Sequence, residues 1–200
     1  MKHALTRSLA CAIALAVAAP ALGQGAAPPA KPANAAGTAK AAEPLRMPDV
    51  IYVPTPQEVV DAMLRMADVK KGDVLFDLGS GDGRIVVTAA QRYGVRGTGI
   101  DIDPERVEEA NGNAILAGVA KLAKFRNQDL FETDLREATV VTLYQLPELN
   151  RKLMPKLLAE LRPGARIVSH QFDMGTWKPD REATVAGRKI YMWTVPPRQP

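Results

Sequence analysis

Cysteine is almost missing from this chain. Cys11 is the only one in 200 residues. It falls in an N-terminal leader, so the folded part has no disulfide, no thiolate metal site and no cysteine nucleophile. Excess charge is also missing. The formal net charge is +4. Without Lys2 and Arg7 of the leader, 24 basic side chains face 22 acidic ones. There is no Lys/Arg block and no basic stripe interleaved with aromatics, so a nucleic-acid partner is not expected. The apolar run Leu9–Ala19 has 11 residues, far short of the roughly 20 that span a bilayer. No internal repeat is visible. With 46% hydrophobic and 24% charged residues, the remainder reads as one soluble globular domain with a tail.

Lys2 and Arg7, the apolar run, and then Pro20-Ala21-Leu22-Gly23 follow the layout of a secretory signal peptide. Residues 1–23 are expected to be that signal. Residues 24–46, nearly all Ala, Pro, Gly, Lys and Asn, are expected to be a disordered linker. The domain is then 47–200. This predicts an exported, periplasmic protein with no stable membrane insertion. A start at Met47 or an inefficient leader would keep it cytoplasmic.

Within the domain, strand and helix patterns alternate. Thr55-Pro56-Gln57-Glu58 reads as a capping box opening a helix that runs to about Ala67. Val74–Leu78 is a buried strand, Arg84–Tyr93 a helix stopped by Gly94, and Val95–Asp101 a strand. Asp103 caps a helix with Pro104 at its first position. Strands follow at 123–127 and 140–144. A helix over 148–161 carries Pro155 as a kink or restart. A strand at 165–171 and a hairpin of 182–185 with 189–195 complete the count. The pattern predicts an α/β, Rossmann-like, seven-stranded fold. Its sheet is mostly parallel with one antiparallel strand, and helices cover both faces.

In such a sheet, ligands bind where loops leave the carboxyl ends of strands. The first such loop is Asp77-Leu78-Gly79-Ser80-Gly81-Asp82-Gly83. Its spacing is Gly-x-Gly-x-Gly rather than the Gly-x-Gly-x-x-Gly of dinucleotide sites. Asp77 and Asp82 bracket it. A pyrophosphate at a helix start is repelled by carboxylates, whereas a sulfonium and an ammonium are attracted. The loop therefore favours S-adenosylmethionine over a nicotinamide cofactor. The carbonyls of Gly79 and Gly81 are candidate acceptors for the ammonium, and Asp82 is also a candidate helix cap. Asp101, 20 residues beyond Gly81 at the tip of the next strand, is placed to accept the ribose hydroxyls. Asp129, after the third strand, is a candidate acceptor for the adenine amino group.

These residues together resemble the class I S-adenosylmethionine-dependent methyltransferases. Asp77–Gly83 matches their first motif, Asp101 their acidic second and Asp129 their adenine-side third. Tyr52-Val53-Pro54-Thr55-Pro56, the segment Asp77–Val86 and Trp177-Lys178-Pro179-Asp180 are similar to the lysine methyltransferases of the ATP synthase c subunit and the adenine nucleotide translocase. That resemblance implies that Tyr52 and Thr55 cover the cofactor and that the acceptor is a protein lysine. Many amino-group and nucleic-acid methyltransferases carry Asn/Asp-Pro-Pro-Tyr after the fourth strand. Here the sequence is Leu143-Tyr144-Gln145-Leu146-Pro147, which argues against base methylation.

Methyl transfer from a sulfonium is an in-line displacement that needs positioning and dryness, but no metal. Candidate catalytic residues are Tyr144, as a wall of the acceptor slot, and His170, which either takes a proton or orients the acceptor. Phe172 and Trp177 are further aromatic candidates for that slot, and Glu148 and Asp173 are acids suited to attract a cationic acceptor. Two alternatives stand beside lysine methylation: a small-molecule methyltransferase, and a non-catalytic adenosyl-ligand binding domain in the periplasm. A monomer is expected.

Overall fold

The computed structural model describes Met47 and residues 51–198. The proposed signal at 1–23 and linker at 24–46 lie outside them. Seven strands form one sheet in the order β3-β2-β1-β4-β5-β7-β6. They are β1 Val74–Leu78, β2 Arg96–Asp101, β3 Ala123–Asn127, β4 Val140–Leu143, β5 Arg166–His170, β6 Arg181–Val185 and β7 Arg188–Thr194. Strands β1 to β5 pair in parallel, and β7 runs antiparallel to both β5 and β6. The helices are α1 Gln57–Met66, α2 Arg84–Tyr93, α3 Pro104–Leu116 and α4 Pro147–Glu160.

The period-two alternation of a strand divides the core. Leu75, Val140 and Val168 pack with α1, α2 and α3 on one face. Their neighbours Phe76, Val141 and Ile167 pack with Leu153 and Leu157 of α4 on the other. Both faces are covered, which is why these strands read as continuous apolar runs. The hairpin turns through Ala186 and Gly187 at φ 49° and 75°, the left-handed pair that a two-residue hairpin loop requires.

One local expectation fails, and one of two alternatives is excluded. Thr55 does not cap α1: the cap position is Pro56, with no side-chain cap bond. Val59 and Val60 instead donate to the Pro56 carbonyl, and the Thr55 hydroxyl is turned to His170, 3.1 Å from Nδ1. Pro155 does not restart a helix. α4 is continuous across it, with Pro147 in its first turn. Asp103, by contrast, accepts from the Glu105 amide at 2.9 Å and caps α3 as expected.

Arg166 of β5 ties the end of α1 to the sheet. It donates to the carbonyls of Ala67 at 2.7 Å and Asp68 at 2.8 Å and pairs with the Asp73 carboxylate. Burial raises the Asp73 pKa, but bonds from Thr139, the Lys70 amide and Arg166 outweigh it and hold the group below the usual carboxylate range. Removing the cation leaves a buried carboxylate and two carbonyls without their donor. Arg166→Met is expected to lower the unfolding free energy by about 2 kcal/mol, read from urea denaturation. An unchanged midpoint would show that this tie is idle.

Candidate functional site

Strand order reverses at β1, which lies between β2 and β4. Loops leaving the carboxyl ends of neighbouring strands diverge there and open a crevice. A cavity of about 300 Å³ occupies it, lined by the glycine loop, Asp101, the 128–130 turn and the segment after β4. Of the eight residues predicted to touch the cofactor, all but Gly81 lie on its wall, and so does Tyr144 of the acceptor candidates.

The loop is built by its glycines. Gly79, Gly81 and Gly83 all have positive φ, at 85°, 51° and 78°, which side chains with a Cβ resist. Space adds a second restriction. A Cβ on Gly79 would lie 1.8 Å from the Gln145 side-chain nitrogen, and one on Gly81 would lie 2.2 Å from the Tyr52 ring. Gly79 and Ser80 donate to the Ile100 carbonyl at 2.8 and 3.0 Å, pinning the turn to β2.

The carboxylates differ in state. Asp77 is buried, and Thr142 donates to it at 2.7 Å. Burial, with help from the neighbouring Asp101 and Asp82, pushes its pKa up to about 7. Asp101 accepts from the Gly81 amide at 2.7 Å with one oxygen and from the Asp103 amide at 3.0 Å with the other. Asp82 is held in a fork by Arg84, with contacts of 2.6 to 3.0 Å. Burial raises its pKa, but the Arg84 bonds outweigh that and lower it. Asp82 is not the cap of α2, whose cap position is Gly83, though it accepts from the Arg84 amide at 3.2 Å. Its charge is thus spent on Arg84, and Asp77 and Asp101 remain to face a cation. Asp129 lies on the cavity wall and accepts from the Phe131 amide at 2.8 Å.

Residues 51–55 cross the cavity as a strap without helix or strand. Arg84 donates to the Thr55 carbonyl at 3.0 Å. Tyr52 packs over Gly81, with the Arg106 guanidinium 5.3 Å from its ring centre. Sequence reasoning misses Arg84 and Arg106, which hold this strap, and Gln145, whose amide donates to the Leu78 carbonyl at 2.9 Å. Only a basic residue directly following the Gly-x-Gly-x-Gly turn hints at the first.

On the acceptor side, Tyr144 lines the cavity and also a second, smaller one of about 150 Å³ formed with Ile51, Val53, Leu146 and Phe172. His170 lies off both walls. It is fully buried and its ring centre is 3.9 Å from that of Tyr144. Burial, with the charge of Arg188 adding to it, lowers its pKa to about 4. Its Nδ1 lies 3.1 Å from the Thr55 hydroxyl, so the ring backs the strap and Tyr144 from outside the cavities. Trp177 also lies elsewhere, 6.1 Å from Trp193 between ring centres, where it packs onto the core. Glu148 and Asp173 line neither cavity.

Comparison with known proteins gives a consistent result. A family model described as ANTKMT methyltransferase domain matches residues 77–181. A protein-lysine N-methyltransferase of Saccharolobus islandicus (strain REY15A) is 46% identical over 154 residues, covering 74% of this chain and 96% of that protein. An adenine nucleotide translocase lysine N-methyltransferase of Mus musculus is 37% identical over 137 residues, 68% of this chain. The match spans 58% of that longer protein. Among solved structures, an RNA methyltransferase from Salinibacter ruber, in complex with S-adenosyl-L-homocysteine, is 58% identical. It superposes with a TM-score of 0.72 over 74% of this chain and 97% of its own.

Proposed function

This chain belongs to the ANTKMT methyltransferase domain family, and from that premise we propose that it moves the methyl group of S-adenosylmethionine onto the side-chain amine of a lysine in a protein. It is an S-adenosylmethionine-dependent methyltransferase. The lysine reading is supported by the relatives named protein-lysine and adenine nucleotide translocase lysine N-methyltransferases, and the observation that carries the cofactor reading is the site's charge pattern. Asp77 and Asp101 face the cavity beside a glycine turn, an environment made for a cation and hostile to a pyrophosphate. We assign Asp101 to the ribose hydroxyls, Asp129 to the adenine side, and Asp77 with the backbone of Gly79 and Gly81 to the methionine end. Tyr52 and Thr55 cover the ligand, and Arg84 fixes that cover.

A lysine amine must lose its proton before it can attack. With a free pKa of about 10.4, roughly one in 2,500 is neutral at pH 7, a penalty of about 4.6 kcal/mol. Apolar surroundings and the nearby sulfonium both lower that pKa. Tyr144 stands where such surroundings meet the cofactor cavity. His170 acts through Thr55 and Tyr144 as a positioning residue.

The name of the Salinibacter protein favours RNA as a second acceptor class. The near balance of 24 basic and 22 acidic side chains beyond the leader weighs against it. So does the Leu143-Tyr144-Gln145-Leu146-Pro147 segment, which offers no Asn-Pro-Pro-Tyr grip for a base. Incubating the protein with methyl-labelled S-adenosylmethionine and cell extract, then separating protein from RNA, decides between them. The expected product is N-methyllysine in hydrolysed protein; label confined to RNA would overturn the lysine reading. We further propose export of the chain by residues 1–23. A full-length mass in the cytosolic fraction would refute that.

A further inference from the structure

The second cavity adjoins the cofactor cavity, and its lining is distinctive. Its five wall residues are Ile51, Val53, Tyr144, Leu146 and Phe172. None carries a charge. Ile51, Val53 and Tyr144 also line the cofactor cavity, so the two spaces share one partition. The Tyr144 and Phe172 rings lie 6.2 Å apart at 23°, and His170 backs Tyr144. Ile51, Val53 and Leu146 are 90%, 53% and 47% exposed, so the outer end is open.

The strap contributes to both spaces, with Ile51 and Val53 common to the two. Tyr52, Pro54 and Thr55 line only the cofactor cavity. Their neighbours Ile51 and Val53 supply two of the five walls of the smaller one. Ligand contacts to the first set therefore fix the position of the second.

We propose that the smaller cavity is the channel for the aliphatic stem of the acceptor lysine, and that the strap completes this channel when it closes on the cofactor. The proposal rests on the lysine reading above. A lysine stem is four methylenes long and apolar, which suits an uncharged channel. At the partition, the neutral nitrogen's lone pair forms the C–N bond as the C–S bond breaks. The sulfonium becomes a neutral thioether, and the methylated ammonium later releases a proton to solvent. Because the channel and the cofactor cavity share the strap, each ligand favours the strap position that binds the other. Linkage makes that coupling reciprocal.

Leu146 and Phe172 line the channel and not the cofactor cavity, so they separate the two. The probe is a peptide spanning the methylated lysine mapped in the extract assay. Leu146→Ala and Phe172→Ala are expected to raise the peptide KM about tenfold while the S-adenosylmethionine Kd stays within about twofold. Leu146→Trp, which fills the channel, is expected to reduce transfer more than 100-fold with S-adenosylhomocysteine binding intact. The wild-type protein is expected to bind the peptide at least tenfold more tightly in the presence of S-adenosylhomocysteine. Transfer by Leu146→Trp at the wild-type rate overturns the channel. Equal peptide affinity with and without S-adenosylhomocysteine overturns its completion by the strap. Absence of N-methyllysine with the wild-type protein ends the lysine reading itself, which is a separate result.

Discussion

Replacing Asp101 with asparagine is expected to weaken S-adenosylmethionine binding by about 100-fold or more, a loss of about 2.7 kcal/mol. The usual conservative exchange is not conservative here. Both carboxylate oxygens accept backbone amides, one from Gly81 at 2.7 Å and one from Asp103 at 3.0 Å. An asparagine has one oxygen and one NH2 group, so it must turn a donor toward one of those amides. If it faces Gly81, the glycine turn loses one of its three bonds to β2 and keeps those of Gly79 and Ser80 to the Ile100 carbonyl. If it faces Asp103, the entry to α3 loses its bond to residue 101. Either choice also removes the charge that accepts hydroxyls. Alanine is expected to do as much damage by removing both acceptors. Calorimetric titration measures the loss directly, and circular dichroism with thermal melting checks that the fold survives. A Kd within threefold of wild type for both variants would remove Asp101 from the ligand site.

Much of this architecture is legible in the sequence because it rests on short-range patterns. Leu75 and Phe76 sit on opposite faces of β1, yet both are apolar, which marks a strand covered on both sides. Asp103-Pro104 announces α3 through a local capping bond. The glycine loop announces itself because three positive-φ positions and two acids fall within seven residues. Asp101 follows because a parallel neighbour of β1 must end beside that loop.

What the sequence hides spans long distances along the chain. Thr55 looks like a cap because Thr-Pro-Gln-Glu fits the local rule, but its hydroxyl bonds a histidine 115 residues away. Gln145 stands out in the sequence only as part of a departure from a motif. Its amide lies over Gly79 and bonds the Leu78 carbonyl, 67 residues from it. Arg84 reaches back 29 residues to the Thr55 carbonyl. Its pairing with Asp82 also removes one of the two loop acids from the charge expected to attract the cofactor. Local chemistry supplies the candidates, and the tertiary fold decides which of them are already engaged.

Asp77→Asn is expected to make the ligand-free protein more stable and the enzyme inactive. In the folded protein, burial chiefly pushes the pKa of this carboxyl group up from 3.8 to about 7. An acid whose pKa is raised by folding holds its proton in the native state while the unfolded chain has lost it. Its contribution is therefore fully present below pH 3.8 and is lost as pH rises to about 7. Above that, the charged form is buried at a cost of about 4 kcal/mol. Asparagine carries no charge, and its oxygen can still accept the Thr142 hydroxyl that bonds Asp77 at 2.7 Å. The variant should gain about 2–4 kcal/mol over wild type at pH 8 and almost nothing at pH 4, by denaturant titration at each pH. A cation bound beside Asp77 is expected to offset this penalty. At pH 6, S-adenosylmethionine should displace about one proton from Asp77. Calorimetry in buffers of different ionisation enthalpy reads that proton, and it should vanish in Asp77→Asn along with most of the affinity. A stability gain that is the same at pH 4 and pH 8 would refute the buried charge. Undiminished affinity in the variant would refute its partnership with the cofactor.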